Sequence, residues 1–432
     1  MRITISFSLL FLSKILLAQE PVTTFYESNG AIKEKYQIIW EDTAVVHGDY
    51  KMLSPAGKVI VTGKYDHGKR EGYFYNYYED GSIQRETFYE HGLKQGVTKV
   101  YATSGQVLQE ALFQNDTLTG NLKIYDESGQ VRGETAFLNG KPDGLVVSYF
   151  DTGIKSEEIQ YENGKPNGYT RQYYQNGNIK LEAEYKSGLL DGQYKTFYPS
   201  GKLEMEVLNL RGQRSGYVKY YHENGQLKSE GVYEDGALQG KFVSFYEDGS
   251  SRADFKYNDG NKTGKNIEYH PNGKIRIESV YSNHGLNAKI KEYTDKSKLV
   301  SDISLVNELP DGQWIFYDEK GRPSKIEDYQ AGKLHGLLQH YGNGKLMFKA
   351  EYAFGNQQGA TLEYYPNGDL MVSSTWKIGM LNGPYIRYYK KDQKEYEGNY
   401  VRNKRNGTWI FYDKKGIVTE TLEYTFGKVS EN

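Results

Sequence analysis

Glycine and aromatic residues recur along this chain every 24 residues. Steps of 24 residues from Gly48 reach a glycine in nearly every case, and after the loss of one residue the series ends at Gly359, Gly383 and Gly407. Sixteen repeats therefore cover residues 48–432, and we number the first residue of each repeat as position 0. Position 5 is aromatic in nearly every repeat, as at Tyr173. A phase that persists over so many steps indicates a tandem-repeat protein.

Each repeat has the pattern of two β-strands and two turns. Positions 1–6 alternate and are rich in Tyr, and a second strand is predicted at about positions 10–18. Pairs such as Asn176-Gly177 separate the strands and supply the positive φ angles of tight hairpins, while a polar loop such as residues 163–167 leads into the next repeat. Because neither connection can hold a crossover helix, the sequence predicts an all-β fold, an elongated single-layer antiparallel β-meander of repeated hairpins.

The alternation also predicts what each face of the sheet carries. Positions 5, 11 and 17 are aromatic or aliphatic, and their shared odd parity places them on one face. Position 14 is acidic in ten consecutive repeats and position 6 is often aromatic, and their even parity predicts the opposite face. The residues of this candidate binding face are Glu86, Glu110, Glu134, Glu158, Glu182, Glu206 and Glu230 at position 14, and Tyr78, Tyr174, Tyr198 and Tyr246 at position 6.

Each of these two sets has a functional and a structural interpretation. The acids could form a ladder that recognises a repetitive cationic partner, or a solvated face balanced by Lys or Arg at position 12, as at Arg132 and Lys180. The tyrosines could stack on sugar rings or dock a protein, or they could stiffen the sheet by cross-strand packing. The pattern favours the structural interpretation in both cases.

The residues before the repeats divide into two segments. Residues 1–18 have the features of a signal peptide, with Arg2 at the start, an apolar stretch over 3–12 and Ala18 as the cleavage residue; the alternative is a buried N-terminal strand or helix. We therefore expect export to the periplasm, the outer surface or the medium. Residues 19–47 contain a degenerate repeat and are predicted to form an N-terminal cap.

The amino-acid composition and the absence of known motifs limit the partners and the kinds of site that the chain is expected to have. A formal net charge of -2 gives no reason to expect nucleic acid as a partner, and peripheral membrane association has no support from charge. The absence of cysteine excludes disulfides and thiolate metal sites. No nucleophile elbow, phosphate-binding loop or EF-hand loop occurs, and of the eight scattered histidines only His335 and His340 suggested a metal pair, which is the weaker interpretation. We therefore expect no enzyme activity, no cofactor and no metal.

Residues 161–168, with the sequence Tyr-Glu-Asn-Gly-Lys-Pro-Asn-Gly, resemble the core of the MORN repeat. The longer pattern, which includes residues 173–182, resembles the MORN-repeat variant that is frequent in bacterial proteins, many of them labelled antitoxin-like. The resemblance implies hairpin arrays that act as scaffolds or binding surfaces, without catalytic residues. We therefore expect a non-enzymatic scaffold for a protein partner. The alternatives are a carbohydrate- or cell-wall-binding array and an antitoxin-like neutralising protein, although an export signal fits poorly with a cytoplasmic antitoxin.

Overall fold

The computed structural model describes residues 19–40 and 44–430, so the signal-peptide prediction lies outside the described residues. These residues form two compact modules. The N-terminal module runs to Leu203 and includes Asn209–Gly212, and the C-terminal module comprises Glu204–Leu208 and the chain from Gln213 onward. Every regular element in the described part of the chain is a β-strand, and no helix there could cross a bilayer.

The strands are numbered in chain order. The N-terminal module contains β1 (Glu20–Phe25), β2 (Ile32–Trp40), β3 (Ala44–Leu53), β4 (Val59–Asp66), β5 (Lys69–Tyr77), β6 (Ile83–Glu90), β7 (Leu93–Lys94), β8 (Gly96–Tyr101), β9 (Val107–Gln114), β10 (Thr117–Tyr125), β11 (Val131–Leu138), β12 (Lys141–Tyr149), β13 (Lys155–Glu162), β14 (Lys165–Tyr173), β15 (Ile179–Lys186) and β16 (Leu189–Phe197). The module boundary falls within β17 (Leu203–Leu210). The C-terminal module contains β18 (Gln213–Tyr221), β19 (Leu227–Glu234), β20 (Ala237–Phe245), β21 (Ser251–Asn258), β22 (Asn261–Lys262), β23 (Gly264–Tyr269), β24 (Ile275–Ser282), β25 (Asn287–Tyr293), β26 (Leu299–Val306), β27 (Leu309–Pro310), β28 (Gly312–Tyr317), β29 (Pro323–Gln330), β30 (Lys333–Gly342), β31 (Lys345–Ala353), β32 (Asn356–Tyr364), β33 (Leu370–Lys377), β34 (Met380–Lys390), β35 (Gln393–Val401), β36 (Lys404–Tyr412), β37 (Val418–Thr425) and β38 (Lys428–Val429).

Within each module, consecutive strands pair antiparallel in an open sheet, as in β12–β13–β14–β15 and β18–β19–β20–β21. The predicted all-β antiparallel meander of hairpins is therefore confirmed. The segment before the first repeat also follows this plan, since β1 pairs with β2 and the Tyr26 hydroxyl donates to the carbonyl of Leu53 at 2.8 Å.

The two turns of a repeat differ in type from the sequence prediction. In the first turn the N–H of Gly177 donates to the carbonyl of Tyr174 at 2.9 Å, and Gly177 has a φ of 87° while Asn176 has no positive φ. The tight two-residue hairpin lies instead in the expected polar loop, where Asn163 and Gly164 have φ angles of 51° and 80°. Positive φ at both central residues is the signature of a type I′ turn, whose twist matches that of the strands it joins.

A β-bulge at position 12 changes which side chains share a face. Tyr173 pairs with Ile179 whereas Gln172 pairs with Leu181, so Lys180 is an extra residue that has no partner across the ladder. The same shift recurs in other repeats. The extra residue reverses the parity of every position after it. The expectations that position 17 shares a face with positions 5 and 11, and that position 14 lies opposite them, are therefore wrong.

The sheet accordingly has two faces of different character. The outer face carries positions 1, 3, 5, 11, 14 and 16, and the core face carries positions 2, 4, 13, 15 and 17. Most of the buried side chains lie on the core face, among them Phe74, Ala183, Val218, Thr361 and Trp409. The core of this single-layer sheet is therefore distributed along one face.

Side chains at positions 15 and 2 of successive repeats complement each other in size on the core face. Ala183 pairs with Tyr194, and Thr135 pairs with Val146. Where position 15 is glycine, an aromatic ring covers it, so that an added Cβ on Gly63 would lie 2.6 Å from the Phe74 ring. The same arrangement occurs at Gly231 with Phe242 and at Gly398 with Trp409. Aromatic rings over strand glycines restore the contacts that the missing side chain would make.

Candidate binding face

The acidic residues at position 14 are already partnered within the sheet. Glu158 accepts hydrogen bonds from the Tyr173 hydroxyl at 2.6 Å and from Lys155 Nζ at 2.5 Å. Lys99 lies 3.6 Å from Glu110, and Arg171 contacts Glu182 at 2.7 Å. Among the remaining predicted acids, Glu134 lies 3.9 Å from Lys123 and Glu206 accepts from Tyr221 at 2.8 Å. Glu86 and Glu230 lie opposite Lys99 and Lys219 in the strand register.

These contacts change the pKa values of Tyr173 and Glu158. Burial, together with the hydrogen bond to Glu158, raises the pKa of Tyr173 to about 12. The hydrogen bonds from Lys155 and Tyr173 hold the pKa of Glu158 below its usual value. The Glu158 carboxylate therefore stays ionised at neutral pH, and it links its own repeat to Tyr173 of the next one, as Glu110 does through Tyr125 at 3.1 Å. Arg132, one of the position-12 cations expected to balance the acids, instead contacts Asp126 at 2.5 Å and the carbonyl of Phe150 at 2.6 Å.

The tyrosines at position 6 also have structural contacts. The hydroxyls of Tyr78, Tyr174 and Tyr246 donate to the backbone carbonyl of position 5 in the next repeat, at 2.8, 2.8 and 2.7 Å. Tyr198 occupies the same position, and all four side chains are half-buried. Tyrosines held in this way link neighbouring hairpins through their hydroxyls.

The outer face instead exposes an apolar ridge, which we define as Tyr73, Tyr75, Phe88, Val97 and Leu112. Tyr73 is 51% exposed, Val97 42% and Leu112 38%. The Tyr73 ring packs edge-on against Phe88 at 5.1 Å, and Val97 pairs directly with Leu112. These residues occupy positions 1, 3 and 16, which sequence reasoning missed because regular alternation separates positions 1 and 16. Only the bulge at position 12 brings them onto the same face.

A second recurring contact joins the type I′ turns along one margin of the sheet. The side chain at position 23 accepts the N–H of position 19 in the next repeat, as Asp143 does for Asn163 at 3.0 Å. His335 has this role for Phe354 at 3.3 Å, whereas the ring of His340 packs against Phe348. The two histidines considered as a metal pair therefore contact different neighbours.

At the first of these turns, the residues that meet are His47, Asp66 and His67. His47 Nδ1 lies 3.4 Å from the carboxylate of Asp66, and His67 Nδ1 lies 2.8 Å from the same oxygen. The sequence did not suggest this group, because the three residues meet only when position 23 of one repeat stacks against positions 18 and 19 of the next.

Among the comparisons with known proteins, the family match bears on the repeat, whereas the solved structures do not. Two solved structures illustrate the likeness: a crystal structure of TcdB2-TccC3-TEV has 12% identity over 94% of this chain and 26% of its own, with a TM-score of 0.15, and a Photorhabdus luminescens Tc holotoxin pore has 11% identity over 94% and 27%, with a TM-score of 0.16. The chain thus spans about a quarter of the length of those chains, and TM-scores this low support no inference. Among curated proteins, no relative matches this chain.

The family model described as MORN repeat variant matches eight segments, each of which starts just after one type I′ turn position and ends in or near the next. They are residues 70–91, 94–115, 118–139, 166–187, 190–208, 214–235, 262–283 and 357–377. The chain therefore carries MORN-variant repeats at eight positions.

Proposed function

We propose that this chain is a non-catalytic repeat scaffold that binds a protein partner in the cell envelope or outside the cell. The observation that carries the proposal is the apolar ridge on the outer face of the N-terminal module. Proteins rarely leave adjoining aromatic and aliphatic side chains in water unless another surface covers them. The export part of the proposal rests on the sequence of residues 1–18.

The surroundings of the ridge favour a protein as the partner. Tyr73, Phe88 and their aliphatic neighbours provide the apolar centre that protein interfaces need, and aromatic residues are enriched at such centres. Next to the ridge, Lys99 and Glu110 form an ion pair at 3.6 Å, which supplies a polar rim. In this proposal the acids at position 14 contribute through such pairs rather than as a separate ladder for a cationic partner.

Site-specific photo-crosslinking tests the proposal. A photo-reactive residue in place of Val97 should give a discrete adduct in the native envelope fraction. Ile124 provides a matched control, because it is an aliphatic residue of the same module that is 47% exposed on the core face. The Val97→Lys/Leu112→Lys variant should abolish the adduct formed from a third ridge position, Tyr73. If Val97 and Ile124 give equal amounts of adduct, or if no ridge position gives an adduct, the ridge is not the binding surface.

A glycan-binding array is the second candidate, favoured by two exposed aromatic rings at position 1, of which Tyr169 has the Arg171 guanidinium 5.5 Å from its ring centroid. Tyr169 is 53% exposed and Tyr217 is 67% exposed. Exposed rings of this kind can stack on sugars. A glycan array probed with the wild-type chain and with the Tyr169→Ala and Tyr217→Ala variants separates the candidates, because loss of these rings should leave the ridge crosslink intact. An antitoxin-like role would use the same ridge, and the identity of the crosslinked protein distinguishes it.

A further inference from the structure

Two histidines and one aspartate come together where β3 lies beside the turn between β4 and β5. His47 is on β3, Asp66 is the last residue of β4, and His67 is the first residue of the type I′ turn. Their candidate ligand atoms all lie within 4.8 Å of one another. Over residues 19–40 and 44–430, no other three side chains of His, Cys, Asp or Glu come this close.

The distances suit one ion held by three ligands. Metal–nitrogen and metal–oxygen bonds of about 2.0–2.1 Å in tetrahedral geometry place the ligand atoms about 3.3 Å apart. His47 Nδ1 and the Asp66 carboxylate are already 3.4 Å apart, and His67 Nδ1 lies 2.8 Å from that carboxylate. The ligand atoms of His47 and His67 lie at most 4.8 Å apart, so a relative shift of about 1.5 Å or less between these partly exposed side chains would complete the geometry.

The structural role of His47 leaves its ring nitrogen weakly engaged. Its Nδ1 accepts the N–H of His67 at 3.4 Å, whereas Asp143 accepts the equivalent N–H at 3.0 Å. A bond this long is near the limit for hydrogen bonding. His335 makes the same contact at 3.3 Å, so what distinguishes His47 is that Asp66 and His67 lie beside it. The single lone pair of Nδ1 can serve the N–H or a metal ion but not both, so metal binding would replace this weak hydrogen bond.

We propose that His47, Asp66 and His67 bind one divalent transition-metal ion of the Zn²⁺ class, with water in the remaining positions. Two imidazoles and one carboxylate select borderline ions such as Zn²⁺, Ni²⁺ or Cu²⁺ over Ca²⁺ and Mg²⁺, which prefer oxygen ligands alone. The ion links β3 to the following hairpin turn and so ties together the first strands of the repeat region.

The chain itself supplies substitutions that keep the turn while removing a ligand. Gln95 and Gln239 take the place of His47 in other repeats and accept the same N–H at 2.9 and 3.1 Å, so His47→Gln retains the hydrogen bond. Asn163 takes the place of His67 with a φ of 51°, so His67→Asn fits the turn. His335→Gln is the matched control, because His335 has the same role as His47 but neighbours Ala353 and Phe354.

Isothermal titration of the tag-free chain with Zn²⁺ tests the proposal, with Ca²⁺ as a comparison. The wild type and His335→Gln should each bind one Zn²⁺ at this site, while His47→Gln and His67→Asn should bind it about tenfold more weakly or not at all. With Co²⁺, the wild type should show the visible absorption of a tetrahedral site, and His47→Gln should lose it. Unchanged thermal midpoints without metal would show that the variants fold. Zn²⁺ affinity that is equal in all four proteins, or absent from the wild type, would overturn the proposal.

Discussion

Gly63 should tolerate no side chain while Phe74 covers it. Gly63 lies in an extended strand without a positive φ, so backbone strain does not require glycine there. A Cβ at Gly63 would sit 2.6 Å from atoms of the Phe74 ring, well inside the contact distance of about 3.5–4.0 Å for carbon atoms. Phe74 is only 4% exposed and is flanked by Tyr65 and Tyr89 at 5.4 and 5.3 Å, so it has little room to move.

The expected magnitudes follow from packing. Gly63→Thr should destabilise the hairpin by about 1–3 kcal/mol through overpacking. Phe74→Val should also destabilise it, by less than the about 3–5 kcal/mol typical of removing a whole buried aromatic ring. The double variant recreates the pair that Thr135 and Val146 form at the same two positions. Its cost should be smaller than the sum of the single costs, with a coupling of about 0.5–3 kcal/mol.

Hydrogen–deuterium exchange gives the local opening free energy, from the peptides covering β4 to β6 for Gly63 and from those covering β10 to β12 for the control. Such a local readout is suitable where a repeat array need not unfold in one step. Gly133→Ala is the matched control, because Gly133 is also in an extended strand but an added Cβ there would meet only a carbonyl oxygen at 3.7 Å. We expect that control to be neutral or slightly stabilising. If Gly63→Thr behaves like Gly133→Ala, or if the two single costs simply add, the size-complementarity explanation is wrong.

Three further outcomes are expected. Tyr173→Phe removes the hydrogen bond to Glu158 and should cost about 0.5–1.5 kcal/mol in chemical denaturation at neutral pH; no change would mean that the link between repeats carries no stability. The pKa of Tyr173 is raised to about 12 from an unfolded value of about 10, so the stabilisation by this tyrosine is complete below pH of about 10 and is lost as the pH rises to about 12. The thermal midpoints of the wild type and Tyr173→Phe should therefore converge over this pH range. Midpoints that stay parallel would contradict the raised pKa of Tyr173. Gly177→Val forces a side chain into a φ of 87° and should cost about 1–3 kcal/mol, with faster hydrogen exchange confined to one or two repeats rather than the whole module.

The sequence alone determined the repeat, its length and its all-β character. Glycines that recur at turn positions, between short alternating segments, leave no room for helices, so antiparallel hairpins were the only fold available. The two turns could be located but their types could not be assigned, because both contain glycine next to a polar residue. Asn163-Gly164 and Asn176-Gly177 look alike as dipeptides, yet only the first has positive φ at both residues.

The tertiary structure decided which side chains share a face and which contacts form. One extra residue at position 12 reverses the parity of all positions that follow it, so it moved Glu158 next to Tyr173 and brought Leu112 onto the face that Val97 occupies. Alternation along a single strand cannot reveal such a bulge, because it is defined by the pairing with the neighbouring strand. The group that contains His47 and His67 also depends on the tertiary structure. The two histidines are 20 residues apart in the chain, and only the stacking of β3 against the next turn makes them neighbours.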